Sequence, residues 1–180
     1  MATFSILAMT DENFGIGLND YLPWNSPPLG KLHMKLLLAT DDPFLDNAVI
    51  IGRKTWDAQY ARYKAFGKRC VVITGNAAAA KHAALLGVSA VPSYDAAFTF
   101  ISEMQNIERV FIVGGASIFT MAMQDCRVQE LTLIRIQAAF ECNVTFPTNP
   151  LLEYWVTKEK TDYHNLGDSL RVSIEKFKRD

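Results

Sequence analysis

The chain has 180 residues, 49% of them hydrophobic and 21% charged, a balance that predicts one folded domain, residues 1–180, with a proper core. Eighteen basic against nineteen acidic residues leave a net charge near −1, so there is no basic footprint for nucleic acid and no electrostatic case for a membrane surface. Cys70, Cys126 and Cys142 form no C-x-x-C pair and, with three scattered histidines, no metal site by spacing; no apolar run approaches the roughly 18 residues of a membrane span. A cytoplasmic, reducing setting, a small-molecule ligand and a monomer are expected, with no metal, nucleic-acid or membrane partner.

In chain order, Phe4–Met9 reads as a buried strand. Gly15-Ile16-Gly17 begins a mobile loop that carries Asn19-Asp20 and Leu22-Pro23-Trp24. Pro27-Pro28 stiffens the entry to a helix over 29–38, whose apolar residues Leu32, Leu36, Met34, Leu37 and Leu38 wrap much of its surface, and Asp41-Asp42-Pro43 ends it. A strand over 47–52 leads into a helix from about Thr55 to Tyr63. Gly67-Lys68-Arg69 turns the chain into a strand over 70–74, broken by Gly75-Asn76. An alanine-rich helix over 77–86 stops at Gly87, a short strand spans 88–91, and Ser93 is the expected N-cap of a helix over 94–104. After a strand over 110–113 and its helix, a long strand over 130–140 is predicted, then an antiparallel pair over 154–159 and 169–177. Alternating β and α with an antiparallel finish predicts one α/β sheet, mostly parallel, with helices on both faces.

Two junctions carry the functional signal. Asn47-Ala48-Val49-Ile50-Ile51-Gly52-Arg53-Lys54-Thr55-Trp56 is a buried strand that ends in glycine and opens a polar helix with two cations. Arg109-Val110-Phe111-Ile112-Val113-Gly114-Gly115-Ala116-Ser117-Ile118-Phe119 repeats the design. Free amides at such helix starts favour an anion. Two of them in one small domain point to a phosphate-rich cofactor, although neither is a full Gly-x-Gly-x-x-Gly or Walker pattern.

Taken with Ile16-Gly17, Leu22-Pro23-Trp24 and Thr145-Phe146-Pro147, these stretches resemble dihydrofolate reductases over nearly the whole chain and in the same order. The resemblance implies that family's fold and an NADPH-dependent oxidoreductase of folate or pterin (one-carbon) metabolism. It implies that Gly52, Arg53, Lys54 and Thr55 hold cofactor phosphates, with Arg53 and Lys54 near the 2′-phosphate. Thr74, Gly75 and Asn76 would border the adenosine. Gly114-Gly115 would be a cis peptide, and Ala116, Ser117, Ile118 and Phe119 would meet the pyrophosphate. Ala8, Ile16 and Leu22 would lie near the nicotinamide. Met9, Gly30, Lys31, Met34, Lys68, Val113 and Ile134 fall at substrate positions.

The pattern breaks at the carboxylic acid that binds the pterin and promotes its protonation. Its place, four residues before Met34 on one helical face, is Gly30, and no Asp or Glu occurs between Tyr21 and Thr40. The acid's usual threonine partner falls at Ile134, with Thr132 two residues away. Lys31 stands where an apolar residue is usual. The arginine for the folate α-carboxylate becomes Lys68, which keeps charge without the bidentate fork, unless the turn shifts by one and Arg69 supplies it. No catalytic residue is assigned at the usual position, and Trp24, Asp20 and His33 are the candidates. Three readings follow. One is hydride transfer from NADPH to dihydrofolate or a related pterin with an atypical proton donor. Another is reduction of a different heterocycle, such as a phosphorylated pyrimidine-type or other anionic substrate. The third is a non-catalytic NADPH-binding or structural protein.

Overall fold

A computed structural model describes the backbone of residues 1–180 and every side chain except that of residue 152. The order is β1 (Thr3–Thr10), β2 (Gly15–Gly17), α1 (Pro27–Leu38), β3 (Asp46–Gly52), α2 (Arg53–Tyr63), a 3-10 turn (Lys64–Arg69), β4 (Cys70–Ile73), α3 (Ala77–Leu85) and β5 (Ser89–Val91). It continues with α4 (Tyr94–Ser102), β6 (Ile107–Ile112), α5 (Ala116–Gln124), β7 (Val128–Ile136), β8 (Val144–Thr145), α6 (Asn149–Tyr154), β9 (Thr157–Asn165) and β10 (Arg171–Lys178). Eight strands form one sheet in the order β5-β4-β3-β6-β1-β7-β10-β9. The pairings from β5 to β7 are parallel, whereas β10 is antiparallel to both β7 and β9.

The two-residue period of the strands divides the core between the faces of this sheet. Ile6, Ile50, Ile112, Leu131 and Leu133 pack with Phe98 and Ile101 of α4 and with Phe119 and Met123 of α5. Leu7, Met9, Val49, Ile51 and Phe111 pack on the other face with Leu29 and Leu37 of α1 and with Trp56 and Tyr63 of α2. Because Ile6 and Leu7 face opposite layers, β1 needs apolar side chains at nearly every position. That is why it reads as a continuous hydrophobic run.

Several boundaries differ from expectation. Residues 15–17 are a short strand paired with β8 rather than the start of a free loop, and Asp11 explains the anchoring. Its buried carboxylate accepts the backbone N–H groups of Asn13 and Gly15 at 2.8 Å and of Phe140 at 3.0 Å, joining the two segments that flank this small ribbon. Burial opposes the charge on Asp11, but those N–H donors outweigh it and hold the carboxyl below its usual range. On α1 the buried stripe is Leu29, His33 and Leu37. Leu38, expected on the packed surface, is 56% exposed. β7 stops at Ile136: the N–H of Gln137 still bonds to the carbonyl of Arg171 at the start of β10, but the next residues turn away to Glu12, whose N–H reaches the Ala138 carbonyl, and to Asp11, which accepts the Phe140 N–H. Tyr154, expected in a strand, ends α6, a helix with proline in its first turn; the strand begins at Thr157.

Candidate active site

At the carboxyl ends of β3, β4 and β6 the sheet opens into a cleft of about 650 Å³, where parallel α/β sheets generally take their ligands. A smaller cavity of about 210 Å³ adjoins it, and Met9 and Leu22 line both.

One side of the cleft is built from the two glycine junctions. The N–H of Gly52 donates to the carbonyl of Gly114 at 2.7 Å, and that of Val113 to Ile50 at 3.0 Å, so the two junctions are locked together. A Cβ on Gly115 would lie 2.8 Å from Thr55 Oγ1, and one on Gly52 would lie 3.1 Å from Ile118 Cγ1. A side chain at Gly115 would have to displace the Thr55 hydroxyl, and one at Gly52 would press on Ile118, so glycine suits the close approach at both places. Gly114 has φ +112°, and the Gly114–Gly115 peptide is cis, as the resemblance implies.

The helix caps distinguish this side from α1, α3 and α4, although α6, away from the cleft, also starts without a side-chain cap. α1, α3 and α4 start under side-chain caps from Ser26, Asn76 and Ser93, each accepting a first-turn N–H. α2 and α5 start after Gly52 and Gly115, which offer no side-chain cap. Their first-turn amides remain available as donors, with the positive end of each helix dipole, at the cleft. Arg53 and Lys54 line the same stretch; Arg53 pairs with Asp57 at 2.9 Å, a half-exposed bond that a stronger anion can displace.

The cleft brings together Ile16, Leu22, Gly52, Arg53, Lys54, Thr55, Thr74, Gly75, Asn76, Gly115, Ala116, Ser117, Ile118 and Phe119, and Met9 and Val113 join them. It excludes two of the cofactor set. Ala8 is 2% exposed and belongs with Ile6 on the opposite face, so Leu7 and Met9 take the lining role. Gly114 is set back, contributing its carbonyl to Gly52.

The substrate set divides further. Gly30 lines the smaller cavity, as does Trp24, while Asp20 and His33 line the larger one. Lys31, Met34 and Lys68 line neither. Lys31 is exposed beside the buried stripe, and Met34 is only half-buried. Lys68 is exposed in the 3-10 turn, where its carbonyl accepts from Ser89. Nor does Arg69 replace it: its guanidinium donates to the carbonyl of Asn47 at 2.6 Å, at the amino end of β3 and away from the cleft. Ile134 is fully buried, level with Met9 in the β1–β7 register, and so presents methyl groups beneath the cleft rather than a hydroxyl.

The sequence reading missed the residues that most alter this site. Gln59, Arg62 and Tyr63 of α2 lie at the end of the cleft near Gly30, Gln59 and Tyr63 in the larger cavity and Arg62 in the smaller. Their spacing of three and four residues was the available signal, since it places them on one helical face. α2 leaves helical geometry at Gln59, with φ −134° and ψ 18°. Arg62 Nη2 lies 3.2 Å from where a Cβ on Gly30 would be, so a guanidinium adjoins the position that the resemblance assigns to the acid.

His33 is 2% exposed and packs edge-on to Tyr63, ring centroids 6.2 Å apart. Burial, reinforced by the Arg62 charge, pushes its imidazole down to about 3, so it is neutral across physiological pH and holds no extra proton to give. Burial likewise raises the Tyr63 hydroxyl well above its ordinary range. Among the described residues lining the two cavities, Asp20 is the one carboxylic acid. It sits on the loop before Trp24 at φ +68°.

Comparison with known proteins agrees with the architecture. Residues 3–179 match the family model described as dihydrofolate reductase. A dihydrofolate reductase of Heliothis virescens is 30% identical over 157 residues, covering 87% of this chain and 85% of the relative. One from Drosophila melanogaster is 29% identical over 150 residues, covering 83% and 82%. The bifunctional dihydrofolate reductase-thymidylate synthase 2 of Arabidopsis thaliana is 28% identical over 150 residues, covering 82% of this chain and 26% of the relative.

Proposed function

The chain belongs to the dihydrofolate reductase family, and from that premise we propose that it is an NADPH-dependent reductase of a flat, reducible heterocycle. One observation carries this reading: two uncapped helix starts and two cations open onto a cleft that continues into a second cavity of different chemistry. A dinucleotide and a second planar ligand fit that division.

The residues present suit the cofactor. The first-turn amides of α2 and α5 would bind phosphate oxygens, and Arg53 with Lys54 would hold the additional phosphate that distinguishes NADPH from NADH. Thr74, Gly75 and Asn76 would border the adenosine. Ile16 and Leu22 would cover the nicotinamide and exclude water from it. When bound, NADPH supplies the hydride. The chain's remaining task is to place the acceptor beside it and to admit a proton. For that proton Asp20 is our candidate, directly or through water, because His33 is neutral and position 30 has no side chain.

Dihydrofolate is the substrate that the relatives' names indicate, and on it we expect slow turnover. A missing general acid typically costs about 10²–10⁴ in rate. A second reading, a different substrate, is favoured by Arg62 beside Gly30: the donor-rich edge of a pterin would there face another set of donors. NADPH binding followed by fluorescence, and NADPH consumption with dihydrofolate from acid to neutral pH, test the proposal. Binding with slow consumption that rises in acid supports dihydrofolate as substrate. Binding without consumption supports the second reading, and absence of NADPH binding would overturn the reductase assignment.

A further inference from the structure

Among the described residues, seven buried side-chain nitrogen or oxygen atoms have no hydrogen-bond partner, and four of these gather around the substrate end of the cleft: Trp24 Nε1, His33 Nδ1, Gln59 Oε1 and Arg62 Nη1. The other three are dispersed over α4, β6 and β7. Folded proteins rarely leave buried polar atoms unpaired, so four of them divided between two adjoining cavities, Trp24 and Arg62 in the smaller and His33 and Gln59 in the larger, are the mark of groups that a ligand completes. Trp24 is 7% exposed and His33 2%, so neither can turn to bulk water.

The chemistry of the four atoms selects the ligand. The indole N–H and the guanidinium are donors only, and the guanidinium carries a fixed charge. The neutral imidazole can offer an N–H at Nδ1. Gln59 supplies one amide, whose oxygen and nitrogen can exchange places by a flip. No carboxylate among the described residues forms an ion pair with Arg62. Beside the position that the resemblance assigns to the acid, a pure acceptor with negative charge, there stands a donor with positive charge. Gly30 and Arg62 are coupled by proximity, since Nη2 lies 3.2 Å from the missing Cβ, within reach of a carboxylate placed at position 30.

We propose that Arg62, with Trp24 and His33, binds the substrate through an acceptor-rich, anionic edge, so that the substrate is a planar heterocycle bearing a carboxylate or oxo group rather than a 2-amino donor edge. This rests on the reductase reading for the hydride but not for the binding preference. Arg62 orients the substrate; its guanidinium stays protonated and is not the proton donor.

Isothermal titration of the full chain with two pyrimidines, with and without NADPH, decides the matter. Orotate presents a carboxylate and two carbonyls; trimethoprim presents a diamino donor edge. Orotate should bind the native protein at least tenfold more tightly than trimethoprim. Arg62→Gln should weaken orotate about tenfold or more while leaving NADPH affinity within about twofold. Gly30→Asp, which keeps the arginine but pairs it internally, should weaken orotate to a similar extent. Tighter binding of trimethoprim than of orotate, no orotate binding, or an orotate affinity unmoved by Arg62→Gln would each overturn the proposal. Failure of NADPH to bind would instead overturn the reductase reading, and the cofactor-free titrations would still report the edge preference.

Discussion

His33 offers a quantitative test of the electrostatics at the substrate end. Its imidazole is 2% exposed, has no partner at Nδ1, and is held near 3 by burial and by the neighbouring Arg62 charge. The unfolded chain protonates it at the ordinary value of 6.5. Between these values the unfolded state binds one proton that the folded state refuses, so stability falls as pH falls from 6.5 towards 3. The slope approaches about 1.4 kcal/mol per pH unit, giving a loss of about 2.5 kcal/mol between pH 7 and pH 4.5 from this residue alone. That window lies mostly above the carboxylate range, which isolates the effect. Leucine at this position would extend the stripe of Leu29 and Leu37 and abolish no hydrogen bond made by Nδ1. His33→Leu should therefore match or exceed native stability at pH 7 and exceed it by about 2–3 kcal/mol at pH 4.5. Urea unfolding at several pH values, with two-state behaviour verified at each, measures both slopes. Equal slopes in the native and His33→Leu proteins would refute the reasoning, because His33 would then titrate alike in both states. The same result would reopen His33 as a proton donor.

Three further outcomes are expected. Asp11→Asn turns an acceptor for Phe140 N–H into a donor and removes the charge behind two more bonds, so it should cost about 2–4 kcal/mol at neutral pH. Because the Asp11 carboxyl is held below its ordinary 3.8, this gap should be full above that value and should close as acid titrates the native protein; a gap that widens in acid would contradict the assignment. Gly114→Ala puts a Cβ 2.9 Å from the ring of buried Phe119 at φ +112°, and should cost about 2–5 kcal/mol from strain and overpacking, read by thermal or urea unfolding. Replacing Arg53 and Lys54 together by glutamine should weaken NADPH at least tenfold and NADH far less, measured by fluorescence titration, whereas equal losses would remove these cations from the phosphate site.

Much of the fold was legible because its signals are local. Val49 to Gly52 and Val110 to Gly115 announce buried strands that run into helix starts, and the glycines mark where the backbones must nearly touch. Strand periodicity, the cap at Ser93, the break at Gly75-Asn76 and the prolines at 27 and 28 act within a few residues and survive in the tertiary structure. The lining of the cleft beside the two glycine junctions follows from them. So does the missing acid, since the absence of Asp and Glu between residues 21 and 40 is a fact of sequence.

What stands beside Gly30, the position the resemblance assigns to the acid, was decided only by tertiary structure. Arg62 reads locally as one more cation on a polar helix; its partner position, Gly30, belongs to α1, and nothing between the two records that the helices meet across a cavity. Helical phase decided Lys31 and Met34 in the same way. One residue corresponds to about 100° of rotation, so choosing Leu29, His33 and Leu37 as the buried stripe turns Lys31 out to solvent. The charge of His33 is likewise a property of its surroundings, set by burial and by a guanidinium from another helix. Composition and periodicity specify how each segment folds; which side chains confront one another across the cleft depends on contacts distant in sequence, and the preference for one substrate edge over another lies in those contacts.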